Sequence, residues 1–237
     1  MLTVIPTPIG NLDDITLRAL EALRSCDLVA AEDTRHTGLL LKHYEISKPQ
    51  ISLHEHNEAA RSGALIEEML AGRSIALVSD AGMPAISDPG ARLIRSARQA
   101  GLPVTVLPGP CAALTALVGS GLDTERFCFL GFLPHKAGRR QRELAAALAR
   151  QETSVFYESP HRLGKSLAQL AELDPERQIC VARELTKHFE EYRNGRAGEL
   201  LAHYTEHPPK GEICLLIAAA PERRRATTPH STLCDAP

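Results

Sequence analysis

The chain has 237 residues, of which 43% are hydrophobic, and its 27 basic and 29 acidic side chains give a formal charge of −2. This length allows one large or two compact domains with a substantial core. The near-neutral charge excludes a protein coated in basic surface, so any contact with nucleic acid has to depend on a local patch.

The cysteines and the N-terminal segment indicate a cytoplasmic protein. No two of the six cysteines have the C-x-x-C spacing, and several lie in apolar strand-like runs. We therefore expect buried thiols in a reducing compartment rather than disulfides or zinc ligands. We also expect no signal peptide and no membrane partner, because no segment has the required basic and apolar pattern.

Strands and helices alternate through the first half of the chain. Apolar runs predict strands at 2–5, 28–31, 51–53, 74–78 and 104–107. Apolar residues at helical spacing predict helices between them, one capped by Asp14 or Thr16, one around 65–70 and one ending at Gly101. This order favours a mostly parallel sheet with helices on both faces.

The second half begins near residue 119, where glycines interrupt the pattern. Its predicted strands are at 127–132, 154–157, 178–182, 188–193 and 213–219, and its predicted helices are at 139–150, 163–173 and about 197–204. The last residues are polar and without apolar periodicity, which is typical of disorder. We therefore predict an N-terminal α/β domain at 1–118, a C-terminal α/β domain at 119–220 and a disordered tail at 221–237.

The ends of the five predicted strands in the first half suggest a binding site. Polar or Gly/Pro-rich segments follow every one of them, at 7–11, 32–35, 54–57, 79–90 and 108–112. In an open parallel sheet, ligands bind outside the carboxyl ends of the strands. The chain has neither G-x-G-x-x-G nor a Walker lysine loop, and these segments carry few cations. A ligand without phosphates fits better, and S-adenosylmethionine, a nucleoside joined to an amino acid through a sulfonium, is such a ligand.

The segment 79–90 contains two similar turns, Ser-Asp-Ala-Gly and Ser-Asp-Pro-Gly. We interpret the first as a ligand turn, in which the backbone from Asp80 to Ile86 can wrap a methyl donor. We interpret the second as the start of the next helix, with Ser87 or Asp88 as N-cap and Pro89 as the first helical residue.

Five segments carry a resemblance to a known family. They are TPIGNLDDIT at 7–16, AEDTR at 31–35, SDAGMPAISDPG at 79–90, PGP at 108–110 and FYESPHR at 156–162. Together they resemble the bacterial small-subunit ribosomal RNA 2′-O-methyltransferases of the tetrapyrrole-methylase-like family, over residues 2–219. The runs at 79–90 and 156–162 are specific, whereas PGP alone would not be.

The resemblance implies the two-domain fold of class III S-adenosylmethionine-dependent methyltransferases. That fold has a mostly parallel sheet in the N-terminal domain and a mixed sheet in the C-terminal one. The resemblance further implies a homodimer, with the donor in the cleft between the domains. The implied reaction is transfer to the ribose 2′-hydroxyl of a cytidine in the decoding centre, in ribosomal RNA or the assembled 30S subunit. Tetrapyrrole-modifying relatives carry a Gly-Asp-Pro type turn after the fourth strand; the sequence Ala-Gly-Met-Pro at 81–84 departs from it and points away from a porphyrin substrate.

The resemblance also implies residues for the donor and for the chemistry. The expected donor-binding residues are Ile9, Asp80, Ala81, Gly82, Ala85, Ile86, Cys111, Ala112, Tyr157, Ala182 and Arg183. Methyl transfer needs an in-line arrangement and a group that takes the proton or stabilises the alkoxide. The catalytic candidates are Glu158, Arg183, Glu184 and Lys187. Glu158 beside Arg162, and Arg183 beside Glu184, could equally form structural ion pairs.

Charged and polar residues outside that set are candidates for contacts with RNA. They are Asp33, Arg35, His54, Asn57, Lys136, Arg139, Arg140, Arg142, His161 and Arg162. The segment 136–142 places four cations at a predicted helix start, against the helix dipole, which favours phosphate contacts over the alternative of a solvated face. His54-Glu55-His56 imitates a metal cluster, but on a strand the three side chains do not share one face, so we expect no metal.

Two other functions remain alternatives. One is a methyltransferase acting on a tetrapyrrole or another small molecule, against which the basic segment at 136–142 argues. The other is a non-catalytic nucleotide-binding module, against which the charged groups crowded at 158–162 and 183–187 argue.

Overall fold

The first half of the protein forms a parallel sheet. The structure is a computed structural model that describes residues 1–221, so the predicted tail lies outside the described residues except for its first position. The strands are β1 (Leu2–Val4), β2 (Leu28–Ala31), β3 (Gln50–Ser52), β4 (Ile75–Val78) and β5 (Val104–Val106). They pair in the order β3-β2-β4-β1-β5, and every pair is parallel.

Helices cover both faces of this sheet, as a buried parallel sheet requires. They are α1 (Leu17–Ser25), α2 (Thr34–His43), α3 (Glu58–Leu70) and α4 (Ala91–Gln99), and a short 3-10 turn spans Leu12–Asp14. Apolar side chains of α1 and α2 pack on one face, and those of α3 and α4 on the other. Thr16, one of the two predicted caps, is the N-cap of α1, and its hydroxyl accepts a hydrogen bond from the Ala19 N–H.

The second half forms a mixed sheet of order β6-β7-β10-β8-β9, in which only the β6–β7 pair is parallel. Its strands are β6 (Phe127–Phe132), β7 (Thr153–Glu158), β8 (Gln178–Arg183), β9 (Glu191–Arg196) and β10 (Ile213–Ile217). Helices α6 (Ala137–Leu148), α7 (Pro160–Leu173) and α8 (Ala197–Glu206) pack on one face. The predicted fold class, with one parallel and one mixed sheet in two domains, is confirmed.

Helix α5 (Ala112–Ser120) joins the two halves. Ala113, Ala116 and Leu117 are buried against the free face of the second sheet, and Ile9 from the first half packs into the same cluster. The predicted division between residues 118 and 119 falls inside this helix. The domain limits at 1–118 and 119–220 therefore stay a prediction, and α5 is shared structurally by both halves.

Two elements differ from the sequence-based expectation. Helix α2 was not predicted, because its first turn is polar and carries Gly38, so its apolar residues begin only at Leu39. Strand β9 begins at Glu191, three residues after the expected start at 188. The intervening loop is held by hydrogen bonds from Lys187 N–H to Glu184 O and from Glu190 N–H to Lys187 O, so it turns where a strand was expected.

Candidate active site

A cavity of about 350 Å³ lies where the carboxyl edge of the first sheet faces the second half. That volume is in the range of sites for small molecules and cofactors. The first half contributes Ile9, Glu32, Asp80, Ala81, Gly82, Met83, Ile86, Asp88, Cys111 and Ala112. The second half contributes Phe132, Tyr157, Glu158, Ser159, Pro160, Leu185, Gly211, Glu212, Ile213 and Cys214.

A backbone bridge between the segments that follow β1 and β4 holds Gly82 in the cavity wall. Thr7 N–H donates to Gly82 O at 3.0 Å, and Gly82 N–H donates to Thr7 O at 2.9 Å. The buried Thr7 hydroxyl donates to Ser79 O at 3.1 Å. Gly82 has φ +77°, and a Cβ there would lie 3.3 Å from Ile9 Cγ2. Glycine at this position therefore supplies both the left-handed conformation and the close approach of the two loops.

Three carboxylates from the segments after β2 and β4, those of Glu32, Asp80 and Asp88, line one side of the cavity. Asp80 Oδ1 accepts from Asp33 N–H at 3.0 Å, and Glu32 Oε2 accepts from Asp80 N–H at 3.3 Å. Burial, reinforced by the charge of Glu32, raises the pKa of Asp88 to about 6. Burial also raises the pKa of Glu32. These acids are crowded and partly desolvated, which makes them sensitive to any cation that enters.

The predicted N-cap of α4 at Ser87 or Asp88 is wrong. Gly90, with φ +122°, is the N-cap of α4, and the helix begins at Ala91 rather than Pro89. The free N–H groups are satisfied from α3, because Glu58 Oε1 accepts from Gly90, Arg92 and Leu93 at 3.0, 2.8 and 3.2 Å. Asp88 is therefore not needed as a cap, and it lines the cavity instead.

Glu158 is the one catalytic candidate that lines the cavity among the described residues, and both of its carboxylate oxygens have partners. It is 2% exposed. Its Oε1 lies 2.7 Å from Arg162 Nη2 and accepts from Ser159 N–H at 2.7 Å, and its Oε2 accepts from Ser166 Oγ at 2.6 Å. These contacts are those of the structural ion pair that the sequence left open, and they engage both carboxylate oxygens of Glu158.

The other catalytic candidates form two separate ion pairs beside the cavity. Arg183 pairs with Glu191 rather than with its neighbour Glu184. Lys187 Nζ lies 2.8 Å from Glu184 Oε1 and 2.8 Å from Glu212 Oε2, and Glu212 lines the cavity. The hydrogen bond from Lys187 holds the pKa of Glu184 below its usual value. Arg183, Glu184 and Lys187 do not line the cavity themselves.

The donor-binding set is largely brought together. Ile9, Asp80, Ala81, Gly82, Ile86, Cys111, Ala112 and Tyr157 line the cavity. Ala85, Ala182 and Arg183 do not: Ala182 is fully buried in the cluster beneath α5, and Ala85 is a turn residue with φ +69°. The roles of the whole set stay predictions.

None of the predicted RNA-contacting residues lines the cavity. Asp33 is the N-cap of α2 and forms an ion pair with the exposed Arg35, whose hydrogen bonds lower the pKa of Asp33. The Asn57 side chain accepts from the His54 N–H at 2.9 Å in the turn before α3. His161 is exposed in the first turn of α7, and Arg162 is occupied by Glu158.

The cationic turn, which we define as Lys136, Arg139 and Arg142 at the start of α6, is solvent-exposed. Arg140 is the exception and a correction to the predicted patch. It is 4% exposed, and its Nε donates to Gln169 Oε1 at 2.8 Å. Because its guanidinium is used to join α6 to α7, it is not available to a phosphate.

Several lining residues were not among the predicted site residues. Glu32, Met83 and Asp88 lie in strand-end segments that the sequence singled out, so their position was a usable signal. Phe132 ends β6 next to the basic segment, a weaker signal. The sequence carried no signal for Leu185 or for the segment 211–214, because only the pairing of β8 with β10 brings them to the cavity.

The cavity fits a cationic methyl donor. Among the described lining residues are five carboxylates and no Lys or Arg. Tyr157 and Cys214 form an apolar wall on the second sheet, and burial raises the pKa of the Cys214 thiol to about 12. The small residues Ala81, Gly82 and Ala112 also line the cavity. Within residues 1–221 no three His, Cys, Asp and Glu side chains form a cluster able to hold a metal ion.

Comparison with known proteins identifies the class. The family model for Tetrapyrrole (Corrin/Porphyrin) Methylases matches residues 1–201. The chain belongs to this family and is an S-adenosylmethionine-dependent methyltransferase. The solved structure of diphthine synthase superposes with a TM-score of 0.72 at 17% identity, covering 92% of this chain and 89% of that one. Uroporphyrin-III-C-methyltransferase from Thermus thermophilus superposes with a TM-score of 0.64 at 23% identity, covering 92% of this chain and 93% of that one. These likenesses concern the fold.

Curated sequences give nearer relatives. Ribosomal RNA small subunit methyltransferase I of Synechocystis is 47% identical over 236 residues, covering 99% of this chain and 85% of that protein. The protein of the same name from Escherichia coli O157:H7 is 51% identical over 219 residues, covering 91% and 77%. The resemblance predicted from the five segments is confirmed.

Proposed function

We propose that this protein transfers the methyl group of S-adenosylmethionine to the ribose 2′-hydroxyl of a cytidine in the decoding centre of small-subunit ribosomal RNA. The observation that carries the proposal is the acidic, cation-free cavity at the carboxyl edge of the parallel sheet, in a chain that is 47–51% identical to relatives named for ribosomal RNA methylation. The tetrapyrrole alternative has weaker support, since the uroporphyrin enzyme is 23% identical.

The bound donor would supply an electrophilic methyl group on a sulfonium. The protein's residues would hold it in line with the incoming hydroxyl, and orientation of this kind can supply several kcal/mol, up to about 7–11. The carbon–sulfur bond breaks, the carbon–oxygen bond forms, and the hydroxyl proton has to leave. Asp88 is the best-placed acceptor, because it lines the cavity with a pKa of about 6 whereas Glu158 is engaged in an ion pair with Arg162 and in hydrogen bonds from Ser159 and Ser166.

The protein would work in the cytoplasm, on ribosomal RNA or the assembled 30S subunit, and as a homodimer. No helix of the described residues is long and apolar enough to span a membrane, and the five described cysteines are free thiols. Support for a dimer comes from three exposed apolar side chains, which we call the α5 face: Leu114 and Val118 on α5 and Val106 on the edge strand β5.

Tritiated-methyl transfer tests this function. Small ribosomal subunits from cells that lack the modification are incubated with the protein and labelled S-adenosylmethionine, and the nucleosides are then mapped. We expect label on one 2′-O-methylcytidine. Label on a base, on another RNA or on none would contradict the proposal. Naked ribosomal RNA in a parallel reaction distinguishes the two forms of substrate.

A further inference from the structure

Phe132 lies at the mouth of the cavity with more than half of its surface in water. It lines the cavity and is 57% exposed. Its ring meets Tyr157 at 64° with centroids 5.4 Å apart, so one neighbour supports it and ring surface is left free. A supported aromatic ring that faces both a cavity and solvent is suited to receive a planar partner.

A strand irregularity and backbone hydrogen bonds hold the chain around Phe132 and so set the direction of its side chain. The register between β6 and β7 shifts between Phe129 and Phe132, and Gly131 within the shift has φ +67°. Bulges of this kind re-aim side chains next to active sites. Leu133, which follows, is 1% exposed, and its N–H donates to Tyr157 O at 3.2 Å. Arg162 Nη1 donates to Leu133 O at 3.0 Å.

The cavity and the chain segment that follows Phe132 carry opposite charges. The described lining of the cavity carries carboxylates and no Lys or Arg, so it repels phosphates. The cationic turn follows Phe132 within ten residues and is exposed. A polynucleotide would satisfy both features by keeping its phosphates at the turn while a single nucleoside enters the cavity past Phe132.

We propose that Phe132 is a stacking platform for the target nucleobase of a single-stranded RNA segment, which is turned out of its stack so that its ribose enters the cavity. This inference rests on the proposed function and adds to it the form of RNA that the site accepts. Sequence-tolerant stacking of unpaired bases on aromatic side chains, with phosphates on nearby cations, is how single-stranded RNA is commonly held.

The strand offers a matched control. Phe127 begins the strand that Phe132 ends, is 43% exposed and does not line the cavity. Phe132→Leu keeps an apolar side chain but removes the π face, and Phe132→Tyr keeps the ring. In methyl transfer to small subunits we expect Phe132→Leu to lower kcat/KM about 5- to 150-fold. Phe132→Tyr and Phe127→Leu should stay close to wild type.

Two readouts separate stacking from its alternatives. The affinity for S-adenosylmethionine, by calorimetry, should be unchanged in Phe132→Leu; an equal loss there would make Phe132 a wall of the donor site and overturn the proposal. Binding of a short single-stranded RNA that contains 2-aminopurine should weaken in Phe132→Leu with an unchanged salt slope, since no phosphate contact is removed.

Failure of this inference and failure of the proposed function look different. If wild type labels small-subunit RNA and Phe132→Leu behaves like Phe127→Leu, only the stacking role is wrong. If wild type labels no ribosomal RNA, the proposed function fails, and the 2-aminopurine binding comparison still decides whether Phe132 receives a base.

Discussion

Asp88 illustrates how one residue acquires its chemistry from distant neighbours. Its carboxyl has a pKa of about 6, against an ordinary value of 3.8, chiefly because it is buried beside Glu32. The folded state therefore holds this proton more tightly than the unfolded state. The resulting stability is fully present below pH 3.8 and is lost as the pH rises through about 6.

We expect Asp88→Asn to be more stable than wild type at pH 8, by about 1–3 kcal/mol, because the neutral amide avoids the cost of ionisation in the cavity. The advantage should shrink as the pH falls to 4.5. Urea unfolding at the two pH values measures this, with Asp14→Asn, on the exposed 3-10 turn, as control. An advantage that is independent of pH would show that Asp88 ionises normally.

Gly82 offers a second test at the scale of one residue. Gly82 and Gly101 both have left-handed backbones, with φ +77° and +71°. An added Cβ meets Ile9 Cγ2 at 3.3 Å at Gly82 and nothing within 4 Å at Gly101. Alanine at either site should cost about 1–2 kcal/mol of unfolding free energy.

Only Gly82→Ala should also weaken donor binding, by about tenfold or more, because it disturbs the bridge to Thr7 that holds Gly82 in the cavity wall. Calorimetric titration with S-adenosylmethionine checks this. Equal donor affinity in the two variants would place the donor away from this turn.

At the scale of elements, the start of α6 combines two kinds of arginine. Lys136, Arg139 and Arg142 are exposed, whereas Arg140 joins α6 to Gln169 of α7. Replacing the three exposed cations by Gln should weaken RNA binding and flatten its salt dependence, by about 0.7–0.9 in log–log slope for each phosphate that the variant no longer neutralises.

Arg140→Gln is the matched control for this prediction. It should leave the salt slope unchanged but lower the unfolding free energy by about 1–3 kcal/mol, because buried hydrogen-bond partners lose their donor. Filter binding to single-stranded RNA at several salt concentrations, together with urea unfolding, distinguishes the two outcomes. An unchanged slope in the triple variant would exclude the cationic turn as a phosphate-binding surface.

The elements also show which features a sequence can predict. Strand-end loops were predictable, because each follows a local apolar run, and most of the cavity's first-half residues lie in them. The cap of α4 was not predictable, because the Gly90 N–H donates to Glu58, which lies thirty-two residues earlier in the chain. The segment 211–214 was equally hidden, since long-range pairing of β10 brings it to the site. Residues next to a strand end could be predicted from the sequence, whereas residues that reach the site only through long-range contacts could not.

At the scale of the whole molecule, the cavity depends on how the two halves are held together. Asn11 N–H donates to Thr186 Oγ1 at 3.1 Å, and the Lys187 side chain packs against Gly10. Helix α5 contacts the second sheet with one side. Its opposite side bears the α5 face, with Val118 76% exposed and Leu114 48% exposed one turn apart.

An exposed apolar helix side and the open edge of a sheet are both surfaces that proteins usually cover. Burial of the α5 face between two copies would remove Val106, Leu114 and Val118 from water and would clamp the helix that supports the cavity. We therefore expect Val118→Glu to convert a dimer into monomers at micromolar concentration, because it would desolvate a charge in the interface. Leu17→Glu, at an 85% exposed position on α1, should leave the dimer intact. Sedimentation velocity on wild type and both variants checks this: a monomeric wild type, or a Val118→Glu variant that stays dimeric, would exclude the α5 face as the interface.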